Sequence, residues 1–156
     1  MAIETERRFL VQGNGWRKSA AGVRLRQGFM VADAVRSVRV RIAGDEAWLT
    51  VKTEGPVAVR AEFEYPLALA DAELMLASMC ALRVDKWRYR VEYDGLCWEI
   101  DEYGAGLGGL VLAEIELPDA DTGFSRPPWL GEEVTFDARY SYGYLLRNHH
   151  FGGAPA

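Results

Sequence analysis

The sequence is short of several features that would fix a function class at once. Cysteine occurs only at Cys80 and Cys97, with no CxxC pair and no metal-ligand spacing around either. That argues against a disulfide framework or a thiolate metal site and leads us to expect two buried free thiols. No window approaches the roughly 18 to 20 apolar residues of a membrane span, and Glu4 and Glu6 stand where a signal peptide would need an apolar run. We therefore expect a cytoplasmic protein without membrane contact. Linkers, repeats and low-complexity stretches are also missing, so 1–156 reads as one domain, with 1–148 as its core and 149–156 as a frayed tail.

With 49% hydrophobic residues in a chain of 156, there is enough apolar material for one real core, which excludes a disordered protein. Lys and Arg total 18 against 23 Asp and Glu, and the net charge of -5 argues against a nucleic-acid partner or an anionic membrane surface. Most of the basic residues are nonetheless arginines in alternating pairs such as Arg24/Arg26, Arg39/Arg41 and Arg88/Arg90. A local basic site inside an acidic protein is consistent with that pattern.

Hydrophobic alternation with period two dominates and predicts eight strands, over 3–11, 23–30, 37–43, 47–53, 57–67, 86–93, 96–103 and 110–117. Gly44-Asp45 and Asp94-Gly95 predict hairpins. Between the fifth and sixth strands the period changes: Asp71 can cap, and Leu74, Met75, Met79 and Leu82 fall at helical spacing, predicting a helix over 71–82. After Pro127-Pro128 the reading is a short helical piece near 129–133 and a Tyr-rich end, 139–148, closing the fold as a helix or turn. Short strands joined mostly as hairpins point to a β-rich α+β class, an eight-stranded antiparallel barrel with a few covering helices.

Residues two apart share a strand face, and one face of each predicted strand is charged. The basic members are Arg8, Arg24, Arg26, Arg39, Arg41, Lys52, Arg60, Lys86, Arg88 and Arg90; the acidic ones are Glu4, Glu6, Glu62, Glu64, Glu99, Asp101, Glu114 and Glu116. These 10 bases and 8 acids would give that face +2. Single charged strand faces are commonly just solvated. Here the positions hold almost no neutral residue, and like charges fall in doublets, which an ordinary surface has no reason to favour. Turned inward, the face would line a wet lumen suited to a polyanion with metal ions. Arginine forks match phosphate oxygens, and paired carboxylates hold hard divalent cations.

The ordered residues resemble the CYTH superfamily, the triphosphate tunnel metalloenzymes, in its short bacterial form. Glu4-Thr5-Glu6-Arg7-Arg8 is similar to its ExExK motif; Gln27-Gly28-Phe29, Val38-Arg39-Val40-Arg41, Thr50-Val51-Lys52, Glu62-Phe63-Glu64, Lys86-Trp87-Arg88, Glu99-Ile100-Asp101, Glu114-Ile115-Glu116 and Arg139-Tyr140-Ser141 continue the resemblance in order. It implies an eight-stranded tunnel with a charged lumen and hydrolysis of inorganic tripolyphosphate with Mg²⁺ or Mn²⁺. Glu4, Glu6, Glu114 and Glu116 would hold the metal, with Glu62, Glu64, Glu99 and Asp101 as further candidates. Arg39, Arg41, Lys52, Lys86 and Arg88 would grip the triphosphate, joined by Arg24, Arg26 and Arg139. The family's catalytic Lys and Tyr positions are occupied here by Arg8 and Phe29, neither suited to moving a proton. A non-catalytic triphosphate or polyphosphate binder, a nucleoside or thiamine triphosphatase, and an adenylate cyclase stay open as alternatives. A homodimer is compatible with the sequence.

Other motifs carry less. Gly104 to Gly109 spells GxGxxG but precedes a strand instead of a helix, against a dinucleotide site. His149 and His150 read as solvated tail residues. Trp87, Tyr89, Tyr93 and Trp98, opposite the charged face, read as packing under a helix.

Overall fold

The computed structural model describes residues 3–19, 21–104 and 107–148. Eight strands form where alternation places them: β1 (Ile3–Val11), β2 (Val23–Ala32), β3 (Arg36–Ala43), β4 (Glu46–Thr53), β5 (Val59–Leu67), β6 (Leu82–Tyr93), β7 (Leu96–Tyr103) and β8 (Val111–Glu116). They pair antiparallel in the order β5-β4-β3-β2-β6-β7-β8-β1, and Ile3, Glu4 and Thr5 of β1 pair back onto β5 to close the barrel. The hairpins at Gly44-Asp45 and Asp94-Gly95 join β3 to β4 and β6 to β7.

Beyond Thr5, β1 leaves β5, and a ninth strand, β9 (Leu130–Glu133), takes the freed edge opposite Phe9 and Val11. The segment expected to be helical at 129–133 is thus mostly strand. Its pairing buries Trp129 and Leu130, and Arg7 donates to both Glu133 oxygens at 2.8 and 2.5 Å. Glycine is needed at Gly131, where a Cβ would lie 2.9 Å from the Leu10 carbonyl oxygen.

The central helix, α1 (Leu69–Met79), begins two residues before the expected Asp71 and ends three before Leu82. Asp71 sits inside the first turn, where a carboxylate favours the positive helix end, and Leu82 already belongs to β6. α1 covers β2, β3 and β4 from outside, packing Ala72, Leu76 and Cys80 on Val40, Ile42 and Ala47. At Gly28 a Cβ would meet Leu76 and Cys80 at 2.6 Å, so the bare backbone is what lets the helix approach β2. A 3-10 turn at Gly15–Ser19, not anticipated from the sequence, packs Trp16 on Tyr89. The Tyr-rich end forms a 3-10 turn (Ala138–Tyr140) followed by α2 (Tyr142–Asn148).

Two of the three apolar clusters lie outside the barrel wall, one under α1 and one joining Phe9, Trp98, Ile100 and Ile115 to Trp16 and Trp129. The third gathers Phe29, Val84, Tyr103 and Leu112 with Tyr140, Tyr142 and Leu145, and closes one end of the barrel. Of the aromatic set expected under a helix, Trp98 is fully buried by strands and loops, while Trp87 is 46% exposed. Both cysteines are free thiols, but only Cys80 is buried; Cys97 is exposed because it lies near the start of β7, on the face of Glu99, at the barrel rim beside the Asp94-Gly95 hairpin. Among the described residues no helix is long and apolar enough to cross a membrane. His149, His150 and the tail to Ala156 lie outside the described residues.

Candidate active site

Hydrogen-bond order sorts the charges in a way chain order does not. β4, β3, β2 and β6 are consecutive round the barrel and present Lys52, Arg39, Arg41, Lys86, Arg88 and Arg90; β7, β8, β1 and β5 complete the circle with Glu99, Glu114, Glu116, Glu4, Glu6, Glu62 and Glu64. These side chains line one cavity of about 160 Å³, shared with Arg8 and Tyr142. Arg8 is the one base that the acidic half brings to it.

Three expected site residues lie elsewhere. Arg24 and Arg26 point outward and ion-pair with Asp85 and with Glu73 of α1. The inward face of β2 carries instead Leu25, Gln27 and Phe29, opposite Lys86, Arg41 and Arg39 in the ladders. Arg139, on the closing 3-10 turn, is spread on Asp137 at 2.6 Å and is 65% exposed, away from the cavity. Without Arg24 and Arg26, and with Arg60 and Asp101 outside the lining, the cavity carries seven basic and seven acidic side chains, so the lumen is neutral overall rather than +2.

Neutrality hides local frustration. In the basic half, Arg39 has no carboxylate within 4.0 Å among the described residues, although it is only 9% exposed. Burial, with the neighbouring Arg39 and Arg88 cations, pushes the Arg41 guanidinium below its ordinary value, and Glu64 at 3.6 Å only partly offsets this. Buried atoms there lack hydrogen-bond partners among the described residues: both amide atoms of Gln27, Thr50 Oγ1, and Nε of Arg39 and of Arg41. An unmade buried hydrogen bond costs about 1–3 kcal/mol, so this wall carries donors to spare.

The acidic half is frustrated with the opposite sign. Glu6 stands directly across the ladder from Glu116, and Glu114 from Glu99, pairings that repel. Burial and the carboxylates of Glu4, Glu6, Glu62 and Glu99 push Glu116 above its ordinary value. Glu4 is also raised, chiefly by burial, despite ion pairs to Lys52 and to Arg60 at 3.6 Å. Glu6 is held below its ordinary value: burial opposes this, but Lys52 and Arg8 outweigh it, and Arg60 donates to it at 2.7 Å. Among the described residues no three acidic, His or Cys groups converge to form a ready-made cage. All-oxygen donors that reach a cation singly fit a hard divalent metal sharing its shell with water and phosphate oxygens, the habit of Mg²⁺.

Asp101 departs from the candidate metal set. It is fully buried behind the lining, and its two oxygens take Lys86 at 2.6 Å and Arg88 at 2.8 and 2.9 Å. It acts as the counter-ion that fixes those two bases. Arg8 is also buried; it donates to the Tyr140 carbonyl at 2.7 Å and lies 3.4 Å from Glu114. Burial opposes its charge, but Glu114 and Glu6 hold it far above its ordinary value, so it is permanently cationic. Phe29 is packed in the closing cluster with its ring 5.2 Å from that of Tyr142.

Sequence reasoning passed over Gln27, Thr50 and Tyr142 as site residues. Gln27 and Thr50 share the inward period with Phe29 and Lys52, a signal obscured by their lack of charge. Tyr142 arrives from a helix, and no local pattern marks it. Also unforeseen is a larger cavity, of about 310 Å³, that shares Arg41, Arg88 and Arg90 with the lumen and is otherwise walled by Ala21, Val23, Leu25, Ala43, Glu46 and Trp48.

Known proteins match this chain along nearly its whole length. It is 41% identical over 149 residues to an inorganic triphosphatase of Acetivibrio thermocellus, covering 95% of this chain and 96% of that one. It is 37% identical over 142 residues to an inorganic triphosphatase of Nitrosomonas europaea, covering 88% and 92%. The crystal structure of an inorganic triphosphatase superposes with a TM-score of 0.65 at 34% identity, covering 94% of this chain and 95% of that one. A likeness at 14% identity, to a putative adenylyl cyclase from Hippeastrum with a TM-score of 0.58, speaks for the fold alone. Residues 2–143 match the CYTH domain, and with that span, the closed barrel and its two opposed charged walls agreeing, the chain belongs to the CYTH family.

Proposed function

We propose that this protein hydrolyses a terminal phosphoanhydride bond, that of inorganic tripolyphosphate, to pyrophosphate and phosphate, with Mg²⁺ or Mn²⁺ as cofactor. The observation that carries the reading is the pairing of opposite frustrations: an underpaired arginine wall faces a crowded carboxylate wall across a cavity too small for a protein or nucleic-acid chain. A triphosphate with a divalent metal relieves both.

In this mechanism Arg39, Arg41, Lys52, Lys86 and Arg88 fix the polyanion, and Arg8 reaches it from the opposite wall. Asp101 locks Lys86 and Arg88 in place, so little ordering is left to binding. Glu4, Glu6, Glu114 and Glu116 would hold the metal, with Glu62, Glu64 and Glu99 near them at the lumen. A divalent metal supplies Lewis-acid neutralisation at phosphate oxygens and activation of water. Water adds to the terminal phosphorus as the bridging P–O bond breaks, the bonding electron pair leaves on pyrophosphate, and the proton of the water passes to a carboxylate of the acidic wall. Arg8, permanently protonated, and Phe29, with nothing to titrate, do not accept the proton of the water.

The cavity walled by Trp48, Leu25 and Val23 favours a second reading, in which the triphosphate carries an organic group such as a nucleoside or thiamine. A test that separates the readings is phosphate release from tripolyphosphate, pyrophosphate, ATP and thiamine triphosphate, each with Mg²⁺, Mn²⁺ or a chelator. We expect fast, metal-dependent release from tripolyphosphate, lost in Glu4→Gln and Glu114→Gln. Preferred release from ATP or thiamine triphosphate would instead establish the second reading. Binding without release from any substrate would leave a polyphosphate-binding protein.

A further inference from the structure

The closed end of the lumen holds a buried polar chain that the phosphate grip does not account for. Lys86 Nζ donates to the Tyr142 hydroxyl at 2.8 Å, and the Tyr103 hydroxyl lies 2.8 Å from the same oxygen. Tyr103 is 4% exposed, and Tyr142 is the only hydrogen-bond partner of its hydroxyl among the described residues. Either hydroxyl could be the donor by geometry, but a buried hydroxyl hydrogen without an acceptor is costly and only Tyr142 opens on the cavity, so the donor role is assigned to Tyr103. An ammonium can only donate, so Lys86 donates as well. The Tyr142 oxygen therefore accepts twice, and its own hydrogen has neither neighbour to go to. Tyr142 is also the one residue of the closing apolar cluster that lines the charged cavity.

From this donor accounting we infer that the Tyr142 hydroxyl is a further substrate-contacting residue, donating a hydrogen bond to an oxygen of the phosphate that enters the lumen deepest. The inference rests on the triphosphate reading of the same cavity. The ring is held for the role by Phe29 at 5.2 Å, by Tyr103 at 6.3 Å and by the Arg8 guanidinium 5.6 Å from its centroid. Phe29 and Arg8 thus gain a shared function as supports of a phenol. Burial alone would raise the Tyr142 pKa, but the Lys86 ammonium together with the Arg39 guanidinium leaves the phenol below its ordinary value, which strengthens it as a donor. A rigid donor aimed at a site of growing negative charge is worth about 100-fold in turnover.

Tyr142→Phe keeps the ring and removes only the hydroxyl; Tyr65→Phe, on the exposed outer face, is the control. With metal present, the expected result for Tyr142→Phe is kcat down about 100-fold with KM within about threefold, because the donor acts on charge that develops in the transition state. Tyr103→Phe removes one of its two donors and should lose less, which keeps the idea testable if Tyr142→Phe folds poorly. Undiminished kcat in both variants overturns the inference. A second readout needs no turnover: with a chelator present, tripolyphosphate should shift the near-ultraviolet tyrosine absorption of the wild type and of Tyr65→Phe, but not of Tyr142→Phe. Calorimetric binding of tripolyphosphate without that shift overturns the Tyr142 contact alone, whereas absence of binding overturns the triphosphate reading and the contact with it.

Discussion

In the half of the barrel made by β4, β3, β2 and β6, cations are held ready by buried partners or left bare: Asp101 anchors Lys86 and Arg88 from behind, while Arg39 faces the lumen unpaired among the described residues. In the half made by β7, β8, β1 and β5, carboxylates confront one another, and the repulsion is eased at Glu4 and Glu6 by bases reaching across or along the wall. Under the proposed function the first half receives the anion on bases that Asp101 holds in place. The second keeps a repulsion that a cation would relieve. Binding to the two should therefore be coupled: metal and polyphosphate each remove the charge that hinders the other's half, a reciprocity that linkage requires.

The sharpest way to break that picture is at Arg39. Among the described residues no carboxylate lies within 4.0 Å of its buried positive charge, so Arg39→Ala should weaken tripolyphosphate binding about 30-fold or more, measured by calorimetry without metal. Arg39→Lys should recover only part of the loss, since a point charge cannot reproduce a planar fork. The ligand-free protein should lose no thermal stability with Arg39→Ala. If it instead unfolds at markedly lower temperature, Arg39 is holding the barrel together and the idea of a wall waiting for an anion fails.

Glu116 tests the other half. Its pKa is raised in the fold by burial and by Glu4, Glu6, Glu62 and Glu99. A carboxyl raised above its unfolded value makes the folded state bind more protons than the unfolded one in the window above about 4.5. Metal-free protein should therefore lose stability as pH rises through that window, and Mg²⁺ should restore it. With Glu116→Gln the metal-free melting temperature near neutral pH should rise by a few degrees, its fall with pH should flatten, and the gain from Mg²⁺ should shrink. Thermal melts across pH, with Mg²⁺ or chelator, check all three. An unchanged response to Mg²⁺ would remove Glu116 from the metal set.

Much of this was legible in the chain. Strict alternation placed β1 to β8, and the absence of neutral residues among Glu4/Glu6, Arg39/Arg41 and Glu114/Glu116 marked one charged face, which the family resemblance alone turned inward. The grouping of bases and acids into opposite halves was not legible, because β2 to β6 and β5 to β1 are neighbours only after closure. β9 was missed because four residues after two prolines carry too little periodicity, and its pairing partner lies more than 100 positions away. β2 was read inside out: it carries its charges on the face under α1, where Arg26 meets Glu73, and its inward side chains are neutral. A rule that equates charge with lumen fails on the one strand whose lumen residues are uncharged.

That failure yields the smallest effect, and it sharpens the boundary of the basic half. Arg24 and Arg26 lie one residue either side of Leu25 yet face solvent and α1, with side chains 54% and 38% exposed. Exposed ion pairs contribute little and are screened by salt, and both guanidinium groups point away from the cavity. Arg24→Ala and Arg26→Ala should each leave tripolyphosphate affinity and kcat within about twofold of wild type, as expected for surface substitutions. Gln27→Leu, on the inward face between them and Phe29, should instead weaken binding measurably, because its buried amide is the one polar side chain on that face of β2. If Arg26→Ala matched the loss seen at Arg39, the β2 face would have to be turned round, and the basic half would rest on four charged strands rather than three.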